Sequence, residues 1–261
     1  MQLGAPCRSD QPSTPKLTRR GLLLGGAALS ACATLPPVRP PSNVLPRLSA
    51  ALTRGLEGER ARALALYTYV RDSIAFGFTG DFDRATPKQT VGYGRGHCNP
   101  QGALLCALFR EAGLRAEQHF VTIRGAVLDG LFNHPDRLTH SYVRVWIDGE
   151  PYELDGYICD LPFFSGARAR ARREGRSLGY GVHIQGTVTW SGRGHAMSQL
   201  ADRAMVLADH GPFEPADFYA SDAYENRLGA FTRTLFRRYV MPEANRIIAT
   251  LRSGEEVPAE P

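Results

Sequence analysis

Two cysteines in the stretch RGHCNPQGALLCALFREAG, residues 95–113, sit in opposite settings. Cys98 lies among Gly96, His97, Asn99 and Pro100, whereas Cys106 falls inside an apolar run. Asn99 precedes a proline, which biases it away from the α region and suits it to cap a helix. Pro100 suits the first helical position and Gly113 the position just past the end. A helix between them therefore begins within about one residue of the Cys98 thiol. There, unpaired backbone N–H groups and the positive end of the helix dipole favour a thiolate, and they can hold an oxyanion during acyl transfer. A thiol so placed, beside an imidazolium, is expected to react at pH values where an ordinary cysteine is protonated. Cys106 reads as a small buried thiol.

A thiol nucleophile needs a base, and the base needs an orienting group. His140 opens an alternating run to Ile147, and residues 150–155 follow Asp148-Gly149. An Asp-Gly pair between such runs signals a two-residue hairpin turn. With Ile147 facing Glu150, residue 142 faces 155 and residue 140 faces 157. His140 and Asp155 then share one hairpin face as diagonal neighbours, about 7 Å apart at the backbone. Asp155 can bond one imidazole nitrogen and leave the other toward a thiol. Val143, Val145 and Ile147 occupy the opposite, core-facing side. His97 adjoins Cys98, but neighbouring side chains diverge, so at most a supporting role is expected. His134, His195 and His210 lack a metal-ligand spacing. A zinc site built from Cys98, His140 and Asp155 would lack a second cysteine. No metal or other cofactor is implied.

Residues 59–74 carry apolar side chains at helical spacing. Residues 76–97, rich in Gly, Thr, Asp and Pro, read as a long loop. The helix carrying Cys98 is apolar at 103–109 and should be buried nearly all round. Residues 118–123, 140–147, 150–155 and 183–190 are strand candidates. Residues 222–251 read as one long amphipathic helix, or two broken near Pro242. A helix followed by several strands argues α+β rather than alternating βαβ.

The ordered segments GHCNPQGALLCALFREAG, THSYVRVWIDG and YELDGY resemble the transglutaminase-like superfamily, relatives of papain-type thiol enzymes. The resemblance covers about residues 59–160. It implies an α+β papain/transglutaminase-like core, with a buried nucleophile-bearing helix on an antiparallel sheet and a helical C-terminal segment. It also implies Cys98 as nucleophile, His140 as general base and Asp155 as orienting acid; the intervals of 42 and 15 residues suit the family. Peptidase, amidase and amine-accepting transglutaminase outcomes all fall within it, with a peptide or protein substrate. Hydrolysis is preferred because water is abundant in a cell envelope. The alternative of another class is a lipid-anchored binding module on the same fold without turnover. For the oxyanion partner, Gln89 and Tyr93 are candidates in the preceding loop. The stretch DHGPFEPADFY, residues 209–219, also looks like bacterial members, without assignable chemistry.

The first residues read as an address. Arg19-Arg20 and a short Gly/Ala/Leu stretch to Ala31 have the layout of an export signal, twin-arginine in type. The 11 apolar residues from 21 to 31 are too few to span a bilayer. Leu29-Ser30-Ala31-Cys32 resembles a lipoprotein box, so residues 1–32 are read as a signal with Cys32 lipidated. A Pro-rich linker over 33–54 and a single domain over 55–261 follow. The expected location is the periplasmic side of a bacterial envelope, membrane-anchored through Cys32. The net charge of +5 comes with no nucleic-acid motif, and the basic run 166–176 reads as a solvated face. With Cys32 lipidated and Cys98 free, Cys106 and Cys159 are expected as two free thiols.

Overall fold

The computed structural model describes residues 43–254, so Arg19, Arg20 and Cys32 lie outside the described residues. The described residues form one compact unit. Its first element corrects the expected linker: residues 44–53 are a helix, α1 (Val44–Thr53). Pro46 does not prevent this, because proline is tolerated in a first turn, where its missing N–H would be unpaired anyway. Leu45, Leu48 and Leu52 pack against the core, and Ser49 donates to the Leu108 carbonyl at 3.1 Å.

Helix α2 (Gly58–Ser73) lies where the periodicity placed it, burying Ala63, Leu66, Tyr67 and Val70. The expected loop after it holds more structure. Strand β1 (Ala75–Phe76) pairs in parallel with β2 (Arg95–Gly96), and between them runs α3 (Pro87–Tyr93). The seven-residue α3 has no apolar stripe to detect; its signal is the capping box, in which Thr86 and Gln89 bond each other's backbone N–H. Helix α4 (Cys98–Glu111) starts two residues before the expected point, with His97 rather than Asn99 at the cap. Pro100 thus occupies the third helical position, still inside the turn that needs no N–H.

The sheet runs in the order β5-β4-β3-β8, all antiparallel: β3 (Ala116–Arg124), β4 (Arg137–Ile147), β5 (Glu150–Leu154) and, later in the chain, β8 (Val206–Pro212). Asp148 and Gly149 both take positive φ, 54° and 86°, the geometry of a type I′ turn whose twist matches the hairpin. Ile147 pairs with Glu150 and Val143 with Leu154, the register expected from the turn. Helix α4 packs on this sheet and is covered on its other side by α1, α2 and α3. Leu104, Leu105, Leu108 and Phe109 are fully buried, at roughly 1.5–3 kcal/mol each. Gly102 permits the close approach: a Cβ there would lie 2.8 Å from the Tyr157 hydroxyl and 2.9 Å from Gln118 Nε2.

Helix α5 (Leu161–Arg173) carries most of the basic run in its last two turns. Asp160 caps it and is held by Arg252 at 2.9 and 2.7 Å, which ties α5 to the C-terminal helix. Of the expected strand 183–190 only His183 is extended, pairing β7 (Val182–His183) with β6 (Leu178–Gly179). The rest runs instead against 196–198: Thr187 N–H bonds the Met197 carbonyl, and Gly186 abuts the Ser198 backbone. Residues 209–219 form the end of β8 and helix α6 (Pro215–Ala220), where Phe218 stacks on Phe120 at 4.3 Å. The C-terminal segment is helical from Ala230, as α7 (Ala230–Leu235), a wide turn at Phe236–Val240 and α8 (Met241–Ser253). The widening immediately precedes Pro242, whose ring cannot share the normal helical path with the carbonyl four residues back.

Candidate active site

Strand β5 stops at Leu154, opposite Val143, so the β4 edge from Tyr142 back to Arg137 has no strand beside it. Backbone groups on a bare edge need other partners. Asn226 takes up Thr139, with its side chain bonding both the Thr139 N–H and C=O at 2.9 Å. The N-terminus of α4 takes up the next position. Ser141 Oγ donates to the Cys98 carbonyl at 3.4 Å.

That N-terminus is anchored by a residue the sequence reading missed. Asp83, buried to 2% exposure, accepts from His97 Nε2 at 2.7 Å, Asn99 Nδ2 at 2.9 Å, the Tyr224 hydroxyl at 2.8 Å and Asn226 Nδ2 at 2.9 Å. The side chains on both sides of Cys98 are therefore fixed to one carboxylate. Its sequence setting, an ordinary Asp-Phe-Asp-Arg in a polar loop, carries no spacing signal. His97 is thus a positioning residue rather than a free imidazole, and its ring lies against Phe78 and Phe82.

Cys98 and His140 line the same cleft, of about 470 Å³. His140 is buried, and its Nε2 lies 3.5 Å from Asp155 Oδ2, a separation that needs to shorten for a good hydrogen bond. Nδ1 is then the ring nitrogen left for a thiol. Asp155 does not continue the strand. It turns away with its N–H on the Ala196 carbonyl, and its carboxylate enters a nest of backbone N–H groups from Ser198, Gln199 (3.2 Å) and Leu200 (2.8 Å). The segment 196–200, unmarked in the sequence, thus fixes the carboxylate that faces His140. Gln89 and Tyr93 do not reach the thiol; both bond Asp81 on the outer surface. His134 is engaged with Asp129, His195 with the Glu153 N–H, and His210 with Thr122. Among the described residues no group of three or more His, Cys, Asp or Glu side chains is placed to hold a metal ion. A second cleft, of about 540 Å³, opens over Cys106 but has no histidine in its lining.

Cys98, Cys106 and Cys159 are all free thiols, the last two buried. Opposing effects act on the Cys98 thiol. Burial pushes its pKa well above the ordinary thiol value and the nearby Asp83 carboxylate adds to this, against the downward pull of the Ser141 and Asn99 N–H groups. Taking the thiol out of water disfavours the charged form more than two backbone donors restore it. Since the folded pKa is raised, the thiolate fraction at neutral pH falls below that of a free cysteine and grows as pH rises. Iodoacetamide labelling of Cys98 should therefore climb steadily between about pH 6 and pH 9. A plateau already reached near pH 6 would indicate a preformed thiolate–imidazolium pair and contradict this.

Residues 46–155 match the transglutaminase-like superfamily. The matched span, a transglutaminase-like core, begins within α1 and ends at Asp155, so it contains Cys98, His140 and Asp155. Its helix-on-antiparallel-sheet architecture is that of a papain/transglutaminase-like α+β fold. Two solved structures overlap the chain more loosely. A candidate cysteine protease from Cytophaga hutchinsonii is 18% identical with a TM-score of 0.34, over 42% of this chain and 35% of that one. A candidate protease from Parabacteroides distasonis is 12% identical with a TM-score of 0.30, over 42% and 22%. The chain thus spans about a third or less of those proteins. No curated protein sequence matches it.

Proposed function

We propose that this protein is a thiol-dependent acyl-transfer enzyme that hydrolyses amide bonds. The observation that carries the reading is the convergence of Cys98 and His140 on one cleft, with Asp155 held behind the far ring nitrogen. Because burial pushes the Cys98 thiol up, the cycle starts from the thiol. The Cys98 sulfur attacks the carbonyl carbon as His140 Nδ1 takes its proton. The tetrahedral oxyanion sits at the start of α4, whose first N–H groups have no partner within the helix. Collapse breaks the C–N bond; His140 returns the proton to the leaving amine, and a thioester remains on Cys98. Water, deprotonated by the same imidazole, hydrolyses that thioester and frees the acid and the thiol. Asp155, held in its amide nest, stabilises the imidazolium in both halves.

A screen of peptide and amide substrates against the wild type and Cys98→Ala tests the reading; turnover that persists in the variant would end it. His140→Ala should lower kcat by roughly 10³-fold or more, since the other imidazole of the cleft, His97, is tied to Asp83. Asp155→Asn should cost less, about 10²- to 10⁴-fold, because the amide can select the wrong tautomer while keeping some of the nest. Full activity in His140→Ala would refute the assignment. Export and lipid anchoring at Cys32 belong to the same proposal. Cys32→Ala should move the protein from the membrane fraction to the soluble one, and an unchanged distribution would remove the anchor from it.

A further inference from the structure

The cleft over Cys98 is built to receive an apolar group. Phe78, Phe82, Phe132 and Phe236 line it together with aliphatic side chains such as Leu138 and Leu235. The rings of Phe78, Phe82 and Phe236 pack within 5.0–6.3 Å of one another, and Phe132 stands on Phe78 at 5.3 Å.

Two of the polar side chains that border the cleft, Asn226 and Gln199, are committed elsewhere. Asn226 spans Asp83 and the Thr139 backbone, and Gln199 Nε2 donates to the Gly181 carbonyl at 2.6 Å. The two charged side chains in the lining are also engaged. Glu225 pairs with Arg137 at 2.8 Å. Arg227 bonds the Ser221 and Tyr224 carbonyls and lies 3.8 Å from Asp222. Among the described residues, no unpaired Asp, Glu, Lys or Arg in the lining is left to meet a substrate carboxylate or ammonium, and desolvating such a group without a partner is costly. At about 470 Å³ the space has the size of a small-molecule site.

We infer that Cys98 acts on acyl groups bearing a large uncharged apolar substituent, seated between the phenylalanine cluster and α7, and discriminates against charged acyl groups. This deepens the proposed thiol chemistry and rests on it for turnover, but the pocket itself can be read by alkylation alone.

The experiment measures second-order rates of Cys98 modification by N-alkyl iodoacetamides, from methyl to hexyl, against iodoacetate. In the wild type the rate should rise by roughly fourfold per methylene over the first several carbons, the gain for transferring a CH₂ out of water, and iodoacetate should be slowest. Leu235 is 39% exposed and α7 buries no side chain, so Leu235→Asp puts a charge at the cleft without disturbing the core. That variant should flatten the series severalfold. Phe231→Asp, at a position 77% exposed and outside the lining, should leave it unchanged. A series independent of chain length in the wild type, or iodoacetate as fast as the hexyl reagent, would overturn the inference. Turnover of the matching acyl p-nitroanilides separates the two claims. A steep labelling series without any turnover upholds the pocket and refutes the proposed function; turnover with a flat series does the reverse.

Discussion

Cys98→Ala is expected to abolish turnover, by roughly 10⁴-fold or more, while the domain stays folded. Nucleophile loss in a thiol or serine enzyme removes the covalent route itself, and what remains is only the small rate that binding and oxyanion stabilisation give to direct attack by water. The structural cost is small. Cys98 is half-buried at the lip of the cleft, its side chain holds no other element in place, and alanine keeps the helical first turn. Unfolding stability should therefore shift by less than about 1 kcal/mol. Parallel assays of amide turnover and denaturant midpoint check both halves. Retained turnover would place the chemistry elsewhere; a collapse in stability would mean that the thiol is structural.

The second large effect falls on a residue with no reacting atom. Asp83→Ala should destabilise the domain by about 3–5 kcal/mol, because it strands His97, Asn99, Tyr224 and Asn226 as buried donors without their acceptor. For a domain of this size that corresponds to a melting point lower by roughly 6–20 °C. Burial of the Tyr224 phenol, the largest cause of its raised pKa, persists in the variant, so the hydroxyl cannot repair the gap as an acceptor by ionising. Activity should fall at temperatures where the variant is still folded, since the start of α4 loses the anchors on both sides of Cys98. Asp83→Asn, which keeps the shape and one acceptor oxygen, should recover part of the stability. A melting curve unchanged in Asp83→Ala would show that the four bonds contribute nothing net.

Local chemistry made part of this protein legible from its residues. The Asp148-Gly149 turn fixed the hairpin register because two consecutive residues at positive φ allow essentially one connection. The apolar run from 103 to 109 forced a buried helix, and the Asn99-Pro100 pair brought its start to within two residues of the observed one. Those two facts put Cys98 at a helix N-terminus and His140 on the hairpin.

Tertiary structure decided the rest. Asp155 leaves the strand that brought it near His140, and a segment more than forty residues later, 196–200, supplies the amides that hold its carboxylate. Asp83 gathers donors from two separate parts of the chain, 97–99 and 224–226, neither of them marked by spacing. Burial pulls the Cys98 thiol up, against the pull of its helix position, because the phenylalanines and the C-terminal segment line the cleft beside it rather than its neighbours in sequence. Turn type, capping and periodicity act over a few residues and are written locally. Burial, and the partner of a buried charge, depend on which distant segments share a volume, and only the folded chain decides that.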